Sequence, residues 1–223
     1  MPAARRPEPA GTGAGPAPVR RRAPERTRLD ILDAATAEFS EKGFAGGRVD
    51  DIAARTRTTK RMIYYYFGGK RQLYAAVLER AYGAMRDAEA ALDVADLPPL
   101  EALRRIVGVT FDHHATHPEF VRLVSVENIH EGRNVAASPV IRERNAAVIS
   151  TLGALIARGE GAGVFRPGLD ALDLHMLISS FCFYRVSNRY TLKAIFGRDG
   201  RAPEIAAAHR HMIAEAILRF VRP

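Results

Sequence analysis

Basic and hydroxyl-bearing aromatic residues are concentrated in one stretch of the chain, residues 52–78. No Asp or Glu interrupts this stretch, and it holds four of the seven tyrosines. Its cations are Arg55, Arg57, Lys60, Arg61, Lys70 and Arg71, and its tyrosines are Tyr64, Tyr65, Tyr66 and Tyr74. A solvated helix face normally mixes both signs of charge, whereas cations and phenolic hydroxyls together suit contacts to phosphate oxygens. The pattern therefore predicts a surface that grips a polyanion.

Other residues that could do chemistry lack partners. His113 and His117 lie four residues apart, the spacing of metal ligands on one helix face, with His114 beside them. No acidic residue or cysteine has a predictable position near them, so a polar pocket wall is favoured over a metal site. Cys182 is the only cysteine, which excludes an intramolecular disulfide, and its apolar surroundings favour a core position over a redox sensor. The chain has no nucleophile elbow, Gly-rich phosphate loop or zinc signature, so we expect no enzyme activity, no metal and no cofactor.

The net charge of +8 on 223 residues is unevenly distributed. Residues 1–28 hold seven arginines against two glutamates, a balance of +5, and residues 1–19 are rich in Pro, Gly and Ala. So little apolar surface predicts a disordered basic arm over residues 1–23, serving either as a solubilising tail or as a non-specific phosphate contact. The arm lacks the apolar region of a secretory signal, and its many prolines disfavour a transit peptide.

The overall composition is that of a globular protein. A hydrophobic content of 47% with 26% charged residues excludes wholesale disorder. The longest apolar stretch of interest, residues 174–184, has 11 residues, whereas a membrane-spanning helix needs ~20. We therefore expect no membrane association and a location in the cytoplasm.

Hydrophobic residues recur at helical spacing along nearly all of the remaining chain, and no alternating strand pattern interrupts them. Gly43 is placed to end the first helix, and Thr58 or Thr59 can cap the third. Helices are predicted to start near Pro24, Val49, Thr59, Gly69, Pro98, Phe120, Ser138, Asp170 and Pro203, with a loop over residues 159–167. The helix after Asp170 is apolar all round and is expected to be buried on every side. The fold class is all-α.

The second and third helices are short, separated by a tight turn, and basic on the predicted outer face. That combination is typical of a helix-turn-helix. Because such a recognition helix enters the major groove by its N-terminal end, we expect the residues at this end to meet base edges; they are Thr58, Thr59, Lys60, Arg61 and Met62. The later residues Tyr64, Tyr65, Tyr66 and Lys70 are expected to contact the DNA backbone and fix the register.

Residues 38–78, EFSEKGFAGGRVDDIAARTRTTKRMIYYYFGGKRQLYAAVL, resemble the DNA-binding domain of the TetR/AcrR family of transcriptional regulators. The family pattern is a Gly-aromatic pair, an Ile-Ala pair, and Tyr-x-x-Phe-x-x-Lys. These correspond here to Gly43-Phe44, Ile52-Ala53, and Tyr64, Phe67 and Lys70. The resemblance covers roughly residues 25–85 and is specific.

This chain departs from the family pattern in two places. The usual hydroxyl residues before the second helix are replaced by Gly47-Arg48, so we expect Arg48 to supply a charge-assisted phosphate contact in place of a hydroxyl cap. The usual Ala-Gly-Val of the turn is replaced by Thr56-Arg57-Thr58. The loss of the turn glycine is expected to alter how the recognition helix is aimed.

The resemblance implies a three-helix DNA-binding domain over residues 24–71, joined by a long fourth helix to a C-terminal bundle that dimerises and binds an effector over residues 72–223. It implies a homodimer that binds a pseudo-palindromic double-stranded DNA operator, usually as a repressor, and is released by a small molecule. The two last long helices would pair across the two-fold axis. Candidate pocket residues are Phe111, His114, Met176, Phe181, Tyr184 and Arg185.

Two alternatives remain open from the residues alone. The regulator could instead be controlled by a protein partner, or act without any ligand. An apolar cavity of ~300 Å³ or more in the C-terminal bundle would favour the ligand-controlled form. Arg185 or Arg189 could either meet an anionic effector or find partners in a dimer interface, and the interface is the simpler account.

Overall fold

The computed structural model describes residues 24–223, so the predicted basic arm over residues 1–23 lies outside the described residues. The described part folds into helices without a strand, which confirms the all-α class. Their bounds are α1 Pro24–Gly46, α2 Val49–Thr56, α3 Lys60–Phe67, α4 Lys70–Ala90, α5 Pro99–Thr116, α6 Pro118–Ile129, α7 Arg133–Ala136, α8 Pro139–Gly161, α9 Ala171–Ser187, α10 Arg189–Phe196 and α11 Pro203–Val221.

Side-chain caps start three of the helices where the sequence predicts them. Thr59, rather than Thr58, caps α3, and its hydroxyl accepts a hydrogen bond from the Met62 amide at 3.3 Å. Ser138 caps α8 in the same way, followed by Pro139 at the first helical position. Asp170 caps α9 by accepting from two backbone amides at 2.8 and 2.9 Å. These bonds satisfy N–H groups that have no partner inside the helix.

Gly43 breaks α1 near its end, as its position in the sequence predicts. Its φ of 67° is left-handed, a conformation that glycine adopts without the penalty of a Cβ. The glycine also allows a close approach, because a Cβ at this position would lie 3.2 Å from Cγ1 of Val126 on α6. The kink therefore places the end of α1 directly against α6.

The DNA-binding core extends beyond the first three helices. Its fully buried residues include Phe39 of α1, Ile52 of α2 and Ile63 of α3. The first half of α4 contributes Leu73, Tyr74, Val77 and Leu78 to the same core, and Leu123 and Ile141 join it from α6 and α8. The predicted boundary between residues 71 and 72 therefore falls inside α4, whose first half belongs to the DNA-binding core.

The C-terminal core is formed by α5, α8, α9 and α11, packed around a cluster that includes Val107, Leu152, Ile178 and Ile217. The predicted loop over residues 159–167 begins too early, because α8 continues to Gly161. A glycine is required at position 159 by packing, because a Cβ there would overlap the ring of Phe165. The glycine thus serves packing rather than a turn.

The sequence-based description of α9 is wrong for the single chain. Leu174, Ile178, Cys182 and Val186 form its buried face, whereas Met176 and Tyr184 are 58% and 57% exposed. The apolar residues all round the helix therefore reflect one face for the core and a second face open to a partner. Two short helices, α7 and α10, were not predicted, since neither contains a buried residue.

No helix among residues 24–223 is long and apolar enough to cross a membrane.

Candidate DNA-binding surface and interior cleft

The turn between α2 and α3 is held in a left-handed conformation by a residue other than glycine. Arg57 has φ 53° and ψ 32°, and the amide of Thr58 donates to the Ala53 carbonyl at 3.2 Å. Arg57 thus adopts a backbone conformation that glycine normally occupies in such a turn. For a residue with a Cβ this conformation costs about 1–2 kcal/mol. The exposed Arg57 side chain is placed beside the start of the recognition helix.

The N-terminal turn of α3 presents Lys60 and Arg61 in different charge environments. Nζ of Lys60 lies 3.1 Å from Oδ1 of Asp50 on α2. Arg61 is exposed and pairs with no carboxylate within the described residues. Met62, the next residue of α3, is half-buried. Arg61 is therefore the free cation of this turn, while Lys60 is shared with the preceding helix.

The three consecutive tyrosines of α3 differ in exposure. Tyr65 is 78% exposed and Tyr64 is 44% exposed, whereas Tyr66 is half-buried and packs against the DNA-binding core. The rings of Tyr65 and Tyr66 meet edge to face at 5.3 Å between centroids. Tyr64 and Tyr65 can therefore contact a ligand outside the protein. The ring of Tyr66 packs against that of Tyr65 and so limits its motion.

Lys70 lies at the start of α4 and touches the end of α1. Its Nζ donates to the Ala45 carbonyl at 3.3 Å and lies 4.8 Å from the centroid of the Phe44 ring. These contacts fix the ammonium group near the surface that α3 presents, which is the position expected for a phosphate contact.

Arg48 precedes α2 without making the cap that a hydroxyl residue would make. The backbone amide of Arg48 instead donates to Oε1 of Glu38 at 3.1 Å. Glu38 is fully buried and also pairs with Lys42 at 2.9 Å and with Arg55 at 3.1 Å. The carboxylate of Glu38 on α1 thus holds the backbone just before α2, and the exposed guanidinium of Arg48 pairs with no carboxylate among the described residues.

Glu38 was not predicted from the sequence, although one signal was present. Its position on α1 carries a carboxylate inside an otherwise apolar stripe, and a buried charge requires partners. The identity of those partners depends on how α2 lies across α1, which spacing alone does not give.

The exposed face around α3 is dominated by cations. Among the described residues Arg48, Arg57, Arg61 and Arg71 are exposed and pair with no carboxylate. Tyr64 and Tyr65 of α3 are exposed as well. Two short helices, a tight turn and this surface define the class of helix-turn-helix DNA-binding proteins.

A second concave feature lies in the C-terminal half of the molecule. It is a cleft of about 680 Å³ between α4, α5 and α8, closed at one end by the loop that follows α4. Its walls are largely apolar, with Leu92, Val94, Ile106, Val148, Leu152 and Leu155 among the residues that line it. At the inner end lie Arg86 and Glu89, whose side chains are each 10% exposed and 2.8 Å apart between Nη1 and Oε2.

The structure brings only some of the predicted pocket residues together. Phe111 and His114 are buried, and the guanidinium of Arg185 lies 4.1 Å from the centroid of the Phe111 ring. None of these residues lines the cleft. Met176, Phe181 and Tyr184 are 41–58% exposed on α9, so they do not line an interior cavity with Phe111 and His114.

Three histidines lie together at the end of α5, with His113 and His114 buried and His117 half-buried. His113 and His117 are stacked at 4.2 Å between ring centroids, and no group of three metal-ligating residues occurs among residues 24–223. Burial lowers the pKa of His113 from its usual value to about 4, with smaller contributions from His117, His114 and Arg86. Burial likewise lowers the pKa of His175 to about 4. Both imidazoles are therefore neutral at pH 7.

A buried hydrogen-bond network joins α4 to α6 and α7. Tyr74 donates from its hydroxyl to Oε1 of Glu127 at 2.8 Å, and Glu127 is 1% exposed. The carboxylate also accepts from the side chain of Asn134 at 3.0 Å and from the amides of Asn134 and Val135 at 3.1 and 3.2 Å. The burial of Tyr74 and its bond to Glu127 raise the pKa of its hydroxyl. The DNA-binding core is thereby tied to the C-terminal half.

Two family models match this chain. Residues 31–77 match the model for bacterial regulatory proteins of the tetR family. Residues 99–217 match the model for the tetracyclin repressor-like C-terminal domain.

Relatives and solved structures align over nearly the whole chain. The HTH-type transcriptional repressor NicS from Pseudomonas putida is 36% identical over 206 residues, which cover 92% of this chain and 96% of that protein. The HTH-type transcriptional repressor SCO4008 from Streptomyces coelicolor is 32% identical over 199 residues, covering 86% and 97%. The crystal structure of the regulator SCO4942 from Streptomyces coelicolor is 29% identical, with a TM-score of 0.68 and coverage of 88% and 99%. The chain belongs to the TetR family and is a DNA-binding transcriptional repressor.

Proposed function

We propose that this chain acts as a homodimer on a pseudo-palindromic operator and is released by a small molecule bound in the cleft between α4 and α8. The observation that carries the proposal is the cleft itself. Its volume of about 680 Å³ falls in the range of ligand sites, ~300–1,000 Å³. It favours control by a ligand over control by a protein partner.

The position of the cleft gives the ligand a route to the DNA. Arg86 and Glu89 of α4 line it, and the first half of the same helix belongs to the DNA-binding core. On the other wall, α8 begins at Ser138, whose hydroxyl donates to Glu79 of α4 at 2.7 Å. A ligand that separates α4 from α8 therefore acts on the helix that positions the recognition helix.

An exposed apolar face supports the dimer. Leu172, Met176 and Tyr184 on α9 and Met212 and Phe220 on α11 are each 42–58% exposed, and the two helices pack against each other. Exposed apolar side chains gathered on adjacent helices are typical of an interface. A two-fold axis here would make the contact self-complementary and place two copies of α3 about 34 Å apart or a multiple of it.

Fluorescence anisotropy on the DNA upstream of the protein's own gene, titrated with a panel of metabolites, tests the proposal. The expected result is one dimer per palindromic site and release by one compound. Ala147→Trp, which places a bulky ring in the cleft, should abolish release without weakening operator binding. Release that persists unchanged in Ala147→Trp would place the effector elsewhere and reject the cleft.

A further inference from the structure

The charged pair at the inner end of the cleft is incompletely satisfied. Nε and Nη1 of Arg86 are buried and have no hydrogen-bond partner within residues 24–223, and neither has Oε2 of Glu89. Arg86 is only 9% exposed. Its contact with Glu89 at 2.8 Å is an ion pair between residues one turn apart, and it leaves donor capacity unused. Buried donors are normally satisfied, because an unmet one costs about 1–3 kcal/mol.

The other two arginines of the cleft are already occupied. Arg144 lies at the exposed mouth and pairs with Asp87 at 3.0 Å. Arg158 donates to the backbone carbonyls of the loop after α4, including that of Leu97 at 2.5 Å. Of the three arginines that line the cleft, Arg86 therefore combines deep burial with donors that have no hydrogen-bond partner among the described residues.

The permanent charge at this end of the cleft is positive. Glu89 can become neutral by taking up a proton, and burial raises its pKa in that direction. A guanidinium cannot lose its charge in a protein. The field of Arg86 also contributes to the lowered pKa values of His113, His114 and His175. An acceptor bearing negative charge is therefore the group that this end of the cleft lacks.

We infer that the effector is a small organic carboxylate with an apolar body, whose carboxylate accepts hydrogen bonds from Arg86 while its body packs against α8. This inference rests on the proposed function of the cleft and specifies the chemical class of its ligand. The apolar wall formed by Val148, Leu152 and Leu155 accommodates the body. Glu89 then acts as a competing counter-ion, which sets the affinity for the anion.

Calorimetric titration of the full chain with benzoate, benzamide and benzylamine tests the inference, because these probes share a ring and differ in charge. Hexanoate serves as a second carboxylate with a different body. We expect a carboxylate to bind about tenfold or more tightly than the neutral and cationic probes, since bonds to a charged group are the stronger ones.

Two substitutions at the charged pair should act in opposite directions. Arg86→Gln should weaken carboxylate binding about tenfold or more and erase the preference over benzamide. Glu89→Gln should strengthen carboxylate binding several-fold, because the ligand becomes the sole counter-ion of Arg86. Arg105→Gln, which removes an exposed arginine paired with Glu101 on α5, is the matched control and should change nothing.

The outcomes separate this inference from the proposed function. Stronger binding of benzylamine, equal binding of all three ring probes, or no binding of benzoate and hexanoate would overturn the carboxylate class. If neutral or cationic probes bind and Ala147→Trp blocks them, the cleft stands and only the ligand class fails. If carboxylates bind equally well to Ala147→Trp and Arg86→Gln, both the inference and the assignment of the cleft fail.

Discussion

Lys60 and Arg61 are neighbours on the recognition helix, yet the charges around them differ. The ammonium group of Lys60 is shared with Asp50 at 3.1 Å, so contact with DNA must compete with an existing ion pair. Arg61 has no such partner among the described residues and is exposed. At the scale of the residue, the structure therefore distinguishes two cations that the sequence pattern treats alike.

Arg61→Ala is expected to relax sequence preference. A bidentate arginine–guanine contact is worth about 1–3 kcal/mol, so affinity for the operator should fall by that amount while affinity for random DNA changes little. Anisotropy on both DNAs at one salt concentration measures the difference, with Arg105→Ala as the control at an exposed site far from α3. An equal loss on both DNAs would identify Arg61 as a phosphate contact instead.

His113 predicts a dependence of stability on pH. Burial lowers its pKa to about 4, below the value of about 6.5 in an unfolded chain, so the unfolded state binds more protons between these values. Stability is then fully present above pH 6.5 and is lost as the pH falls toward 4. We expect a loss of about 1–3 kcal/mol from this group across that range.

His113→Phe should flatten that dependence without removing it, because His175 titrates with the same sign. Phenylalanine suits the site, since the imidazole stacks on His117 and neither of its nitrogens has a hydrogen-bond partner among the described residues. Urea unfolding at pH 7 and pH 5 measures the change. A slope identical to that of the parent chain would mean that the pKa of His113 is the same in the folded and the unfolded chain.

The turn between α2 and α3 carries a cost that a single substitution can remove. Arg57 occupies the left-handed region at about 1–2 kcal/mol, whereas glycine there costs only its extra chain entropy of about 0.5–1 kcal/mol. Arg57→Gly should therefore stabilise the protein by up to about 1 kcal/mol in urea unfolding. Arg57→Ala removes the same charge and keeps the strain, so a gain in both variants would point to charge rather than conformation.

The bond between Tyr74 and Glu127 predicts how α4 is coupled to α6. Tyr74→Phe leaves the buried carboxylate with one donor fewer and should cost about 1–3 kcal/mol. Hydrogen exchange should accelerate at the amides of Asn134 and Val135, which donate to the same carboxylate. Tyr82→Phe, a half-buried tyrosine of the same helix, is the control and should leave these two amides protected.

The elements that sequence alone predicted are those governed by local rules. The break at Gly43, the cap at Thr59 and the recognition helix that begins after Thr59 follow from residue type and spacing. Glu38 and Glu127 did not follow, because the groups that satisfy a buried carboxylate come from positions 4–53 residues away. The helix α10 was not predicted either, and it contains no buried residue.

At the scale of the whole molecule, the two apolar faces of α9 lie in different surroundings. One face fills the C-terminal core through Leu174, Ile178 and Cys182. The other leaves Met176 and Tyr184 exposed, and Met212 of the adjacent helix α11 is exposed as well. A sequence pattern indicates that both faces are apolar. It does not indicate which face packs against the rest of the same chain. The predicted pocket residues Met176, Phe181 and Tyr184 are accordingly exposed in the single chain.

Met176→Asp tests whether the second face joins two copies of the chain. A carboxylate in an apolar interface is desolvated, and a two-fold axis brings it close to its own copy, so the cost is several kcal/mol and dimerisation should weaken roughly 100-fold. Sedimentation at micromolar concentration should then give a monomer, and binding should fall on a full palindrome while remaining equal on a single half-site. Ile129→Asp, a similar change at a side chain 75% exposed at the end of α6, should stay dimeric. A dimer that survives Met176→Asp would move the two-fold axis off α9, and with it the spacing of the two recognition helices on DNA.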